Sequence, residues 1–110
     1  MRKTRLIDAF KKTSHDFREV CCQLTGYSID ALTDSTSYRL TSVYAENPTD
    51  SLLFNKDPAT GECSLLETPF SSQLGDLIDL HLNQQHSIPV FLAAITTDLF
   101  SRVTFQVRGF

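Results

Sequence analysis

Leu24-Thr25-Gly26-Tyr27-Ser28-Ile29 is the stretch on which the fold turns, because the spacing of apolar residues changes period across it. Upstream, Leu6, Phe10, Thr13, Phe17, Val20, Cys21 and Leu24 recur at three- and four-residue steps, which lays them along one stripe of a helix over roughly residues 4–25. Gly26 follows the last apolar position, where a glycine ends a helix at little steric cost. A helix of that length spans about 30 Å, more than a small domain needs for its own packing, so part of it is expected to project. The periodicity is under way at Leu6 with no Ser, Asp or Asn cap before it, and the helix is expected to continue upstream.

Downstream of Gly26 the pattern shortens. Tyr27–Leu32, Tyr38–Ala45, Ser51–Asn55 and Cys63–Glu67 read as strands, separated by turn-forming runs around Asp34, around Asn47-Pro48 and around Asp57-Pro58. Short connections imply antiparallel hairpins, hence a meander. Helical spacing returns with Leu74, Leu77, Ile78, His81 and Leu82, and again with Ile88, Phe91, Leu92, Ile95 and Leu99, restarting at Pro89. Val103, Phe105 and Val107 alternate with polar residues and suggest a last edge strand or a docked tail. The fold class is therefore α+β: an N-terminal coiled-coil helix over residues 1–26, then a unit over 27–110 in which two C-terminal helices cover an antiparallel meander.

With 110 residues and 41% apolar content, the chain supports one core. Residues 1–24 carry six Lys or Arg against three acidic side chains, whereas the remainder is acidic. A basic helix on an acidic body points to an anionic partner at that helix. Nucleic acid is disfavoured, because the pI is near 5.5 and there is no basic stripe interleaved with aromatics. Three cysteines, Cys21, Cys22 and Cys63, cannot all pair, which fits a reducing compartment. No apolar run has a membrane-spanning length and no signal-peptide core follows Met1, so a soluble intracellular chain is expected, with no membrane partner.

Chemistry is sparse. His81 lies among leucines and reads as a core histidine satisfied by a neighbouring carbonyl. His81 and His86 are five residues apart and diverge on a helix. No histidine stands at a zinc-site spacing from a cysteine, and Cys21 reads as an apolar filler. Gly61 and Gly75 are isolated, so no phosphate loop forms, and Asp76 and Asp79 read as a solvated face. No catalytic residues, cofactor or metal are expected. The informative feature is the first helix: Arg5 and Lys12, seven residues apart, share one flank about 10 Å apart along the axis. In a parallel two-fold dimer, Arg5 and Leu6 would occur twice and build paired cationic clefts, and an arginine there suits phosphate or carboxylate.

The ordered series Arg5-Leu6, Phe17-Arg18-Glu19, Leu24-Thr25-Gly26-Tyr27, Arg39-Leu40-Thr41-Ser42, Tyr44-Ala45-Glu46, Leu65-Leu66-Glu67-Thr68, Ser87-Ile88-Pro89 and Leu99-Phe100-Ser101-Arg102 resembles the C-terminal domain of the Mitotic Arrest Deficient one family of spindle assembly checkpoint proteins, over about residues 5–104. The resemblance implies a parallel homodimer of RWD-like heads on a coiled-coil stem. It also implies recruitment to unattached kinetochores by a phosphothreonine segment of the checkpoint kinase Budding Uninhibited by Benzimidazole, together with other mitotic checkpoint complex proteins as partners. The localisation it implies is nucleus and kinetochore, with the nuclear envelope in interphase. The family's Arg-Leu-Lys motif falls on Arg5, Leu6 and Ile7, so its third position lacks the lysine. Lys3 and Lys11, each four residues from Ile7, could supply the charge. The resemblance makes Arg5 the phosphate-facing residue and Leu6 an apolar anchor, with Lys12 in support by spacing. The alternative is a purely structural dimerisation cap without a peptide site.

Overall fold

The computed structural model describes residues 2–34 and 36–108, with side chains at 9, 11–34 and 36–103. The chain opens with helix α1, Arg2–Thr25, followed by strands β1, Tyr27–Ala31, β2, Ser37–Ser42, β3, Leu52–Lys56, and β4, Cys63–Leu66. A 3-10 turn, Ser71–Gln73, leads into α2, Gly75–Leu77, which widens at once into a π-helical segment, Ile78–Gln84, before α3, Ile88–Arg108. The architecture is α+β, as the change of period at Gly26 implies.

The four strands form one antiparallel sheet in the order β1-β2-β3-β4, a meander. Its register places Ile29, Leu40 and Leu52 in one cross-strand row and Ala31, Tyr38, Phe54 and Leu65 in the next. Because side chains alternate along a strand, these rows share one face. Onto that face α3 lays Phe91, Ile95 and Leu99, four residues apart along a single helical stripe. Leu52 and Phe91 are fully enclosed, and burying side chains of that size contributes about 1.5–3 kcal/mol each.

The strand ends differ from the sequence reading by one to three residues: β1 stops at Ala31, β2 at Ser42, β3 is shifted by one, and β4 stops at Leu66. One difference is of kind. The alternation at Val103, Phe105 and Val107 does not make an edge strand, since the backbone of α3 is helical through Arg108. Leu99 and Val103 already lie four residues apart, and a helix of this length extends by one hydrogen bond per residue once nucleated. The side chains of Phe105, Val107 and Phe110 lie outside the described residues.

Local polar bonds set the corners. Gly26 takes φ +79°, its N–H donates to the Cys22 carbonyl at 2.8 Å, and its own carbonyl accepts from Val43 at 2.9 Å. A methyl group there would lie 3.7 Å from Thr96, an ordinary contact, so the left-handed backbone rather than space is what calls for glycine. Asp34 accepts from the N–H groups of Thr36 and Ser37 and from the Ser37 hydroxyl, and these bonds lower its carboxyl pKa. Thr68 and Ser71 exchange side-chain to backbone bonds of 2.8 and 3.0 Å at the start of the 3-10 turn. The Ser87 hydroxyl accepts from the Val90 N–H to cap α3.

Tyr27 is 2% exposed and its hydroxyl donates to the Leu92 carbonyl at 2.7 Å, which ties the start of the sheet to α3. Burial pushes its phenol pKa above the usual value, partly offset by the Thr96 hydroxyl. A neutral form favoured by folding contributes stability that is complete below pH ~10 and is lost as pH rises through the higher folded-state pKa. Tyr27→Phe is expected to cost about 1 kcal/mol at neutral pH, measured by urea unfolding, and to remove that part of the alkaline loss. Leu52→Ala is expected to cost about 2–5 kcal/mol in the same assay. Gly26→Ala is expected to cost about 1–2 kcal/mol, all of it from the backbone.

Candidate interaction surface

The first helix carries the residues that the sequence reading singles out. Arg5, Leu6 and Ile7 fall in the first turns of α1; their side chains lie outside the described residues. Lys12 is described and exposed. It lies two helical turns beyond Arg5, a rotation that returns to the same flank of a 3.6-residue helix.

The positions of the apolar residues along α1 follow a seven-residue rule. Phe10, Phe17 and Leu24 are each seven apart, and Leu6, Thr13 and Val20 form a second series of the same period, offset by three or four. That is the a/d pattern of a coiled-coil seam. Phe17 is 68% exposed, Val20 50% and Leu24 80%, so this part of the seam is not covered by its own sheet. Cys21, placed on a buried stripe by the sequence, is only half-buried. The periodicity announced an apolar stripe but not what covers it.

Polar residues on α1 are arranged beside that seam. Arg5, Lys12 and Glu19 each stand one residue before Leu6, Thr13 and Val20, so a cationic flank ends at Glu19. Glu19 lies 3.1 Å from the imidazole of His15, one turn earlier. Arg18 reaches Asp30 of β1 at 3.5 Å, on the sheet face opposite the core, and both side chains are about half exposed. Where α1 meets the sheet, Glu19, Cys22, Gln23, Gly26, Val43 and Tyr44 line a shallow groove of about 360 Å³. Next to it Tyr44 meets Phe100 of α3 edge to face, with ring centroids 5.1 Å apart. Arg102, two residues on, holds Glu46 and Asp98 at 3.5 and 3.0 Å.

The other titratable groups do not converge. His81 is half-buried and shares a 2.8 Å hydrogen bond with the side-chain amide of Gln85, one turn on, rather than with a backbone carbonyl of the core. His86 is exposed with φ +54°. Among the described residues, no three His, Cys, Asp or Glu side chains are grouped to hold a metal ion, and no helix is long and apolar enough to cross a membrane.

The family model described as mitotic checkpoint protein MAD matches residues 1–104. The chain belongs to that family. Among curated relatives, the mitotic spindle assembly checkpoint protein MAD1 of Homo sapiens is 47% identical over 105 residues, covering 94% of this chain and 14% of the human protein. The spindle assembly checkpoint component MAD1 of Yarrowia lipolytica is 33% identical over 100 residues, covering 89% and 14%. The mitotic spindle checkpoint protein MAD1 of Arabidopsis thaliana is 31% identical over 115 residues, covering 94% and 15%. The chain thus spans about a seventh of the length of these MAD relatives.

The arrangement on α1 has a direct energetic consequence. The Arg18–Asp30 pair is half in water, so Arg18→Ala is expected to lower stability by no more than about 1 kcal/mol and to have less effect still as salt is raised, measured by urea unfolding.

Proposed function

We propose that this chain is a non-catalytic homodimeric interaction module of a spindle assembly checkpoint scaffold. Residues 1–26 form its coiled-coil stem and residues 27–110 its head. The stem binds a phosphorylated segment of the checkpoint kinase Budding Uninhibited by Benzimidazole, which recruits the protein to unattached kinetochores in the nucleus, where other mitotic checkpoint complex proteins join it.

The observation that carries this reading is the uncovered seam at Phe17, Val20 and Leu24 on a helix with a seven-residue apolar repeat. A row of three large apolar side chains in water is costly, and a second copy of the same helix offers the complementary seam. A two-fold dimer then presents Arg5, Leu6, Ile7 and Lys12 on both sides of the stem. Membership of the MAD family supports the checkpoint setting. A guanidinium beside an apolar anchor suits a phosphothreonine followed by apolar residues, because the fork gives paired charge-assisted bonds to phosphate.

Two measurements test it. Phe17→Asp combined with Leu24→Asp is expected to shift the chain from dimer to monomer in sedimentation equilibrium while leaving the near-UV signal of the buried Tyr27 intact. Calorimetric titration with a phosphothreonine peptide from the kinase's central segment is expected to show binding that needs the phosphate, weakens with salt, and falls at least about tenfold for Arg5→Ala. Silence from phosphorylated and unphosphorylated peptides alike, with the dimer intact, would replace this reading with a structural end cap and identify Ile7 as the position where the motif has lost its charge.

A further inference from the structure

The sheet ends in an edge whose outward hydrogen-bonding groups no other described residue uses. In an antiparallel pair, alternate residues exchange both backbone bonds with the neighbouring strand, and the residues between turn theirs the other way. Asp57 N–H donates to the Glu62 carbonyl, which sets the phase of the β3–β4 ladder. With Asn55 opposite Ser64 and Leu53 opposite Leu66, it is Glu62, Ser64 and Leu66 that face β3. Cys63 and Leu65 therefore direct N–H and C=O away from the sheet, and neither group has an intramolecular partner among the described residues.

Beside this edge runs a groove of about 540 Å³. Cys63 and Leu65 form one wall; Leu82, Asn83, His86 and Ile88, from the π-helical segment and the start of α3, form the other. Leu65, Leu82 and Ile88 are partly buried against the core, so the floor is apolar. Two exposed carboxylates, Glu62 and Glu67, bracket β4 at its two ends. Beyond residue 24 the chain carries ten carboxylates against four Lys or Arg.

We infer that β4 is a docking edge for an extended basic segment of a partner protein, which adds to the sheet as a fifth strand. Its backbone pairs with Cys63 and Leu65. Alternate apolar side chains enter the groove against Leu82 and Ile88, and flanking Lys or Arg residues meet Glu62 and Glu67. Strand addition gives affinity through the main chain and selectivity through the side chains that alternate into the groove. Charge selects the occupant: β4 of a second copy would bring four carboxylates onto one seam, and an acidic or phosphorylated strand would meet the same repulsion.

The probe is the peptide acetyl-Lys-Val-Lys-Val-Lys-amide, titrated into the isotopically labelled 110-residue chain and followed by amide shifts and hydrogen exchange, beside acetyl-Glu-Val-Glu-Val-Glu-amide. The expected result is saturable shifts centred on β4 with the lysine peptide alone, and exchange of the Cys63 and Leu65 amides slowed about tenfold or more at saturation. Glu62→Lys combined with Glu67→Lys should weaken binding about tenfold. Cys63→Pro removes one outward N–H without touching the ladder and should abolish the protection. If that variant melts early, the double charge reversal carries the test, since both glutamates are exposed. Protection at Ile29 and Ala31 on the opposite edge, equal binding of the glutamate peptide, or no shift at ~1 mM lysine peptide would overturn the inference.

Discussion

The seating of α3 on the inner face of the meander is the contact on which the remaining geometry rests. Phe91, Ile95 and Leu99 form one stripe, and the sheet offers Leu40, Leu52 and Phe54 to it from its two central strands. Once that stripe is in place, the Leu92 carbonyl is positioned to receive the Tyr27 hydroxyl and Thr96 comes up against Gly26. These contacts sit where the chain enters the sheet from α1. The left-handed turn at Gly26, bonded on one side to Cys22 and on the other to Val43, joins α1 to the sheet at that point. A packing event more than sixty residues away in sequence thus braces the junction at which the first helix, and the seam it carries, joins the sheet.

The described part of that seam is in turn poorly covered by its own fold. Phe17, Val20 and Leu24 have no sheet residue over them, whereas the polar partners available to α1, Asp30 for Arg18 and His15 for Glu19, sit beside the seam and stay in water. Exposed ion pairs of this kind contribute little. What they do is keep the described part of α1 polar on its flanks, beside the apolar stripe. An amphipathic helix owes most of its stability to what covers its apolar face, and at Phe17, Val20 and Leu24 the head leaves that face of α1 open.

The elements that sequence disclosed were those fixed by local chemistry. The stripe through Leu6 to Leu24, the glycine stop, the turn-rich breaks between strands and the proline at the start of α3 all express short-range rules, and the elements fall within a few residues of them. Two features escaped because they depend on competition between local patterns. Val103, Phe105 and Val107 carry a two-residue alternation, but a helix already running from Ile88 overrides it. Leu77, Ile78 and Leu82 fit an ordinary helix, yet the segment is wound with five-residue bonds, as from Gln85 to the carbonyl of Leu80, and turns at His86. For the surface on α1, helix length already implied that part of it projects, but which stretch stays uncovered was not legible. Spacing records that Phe17 and Leu24 share a face, and only the position of the sheet reveals that this face is open.

The distribution of charge would give the two proposed surfaces opposite preferences. The first 24 residues are net basic, and the rest of the chain is net acidic. Across a Debye length of about 8 Å at physiological salt, each surface is governed by its own neighbours rather than by the whole molecule. On the proposed reading, a phosphorylated segment drawn to Arg5 and Lys12 would be repelled from the glutamates around β4, and a basic strand drawn to Glu62 and Glu67 would be repelled from the flank of α1. The two proposed surfaces lie on different elements and would use different forces, apolar seam and guanidinium on one, backbone edge and carboxylates on the other. Were both surfaces used as proposed, occupancy of one would leave the charge around the other unchanged, and a small chain with a single core would hold two chemically distinct partners at once.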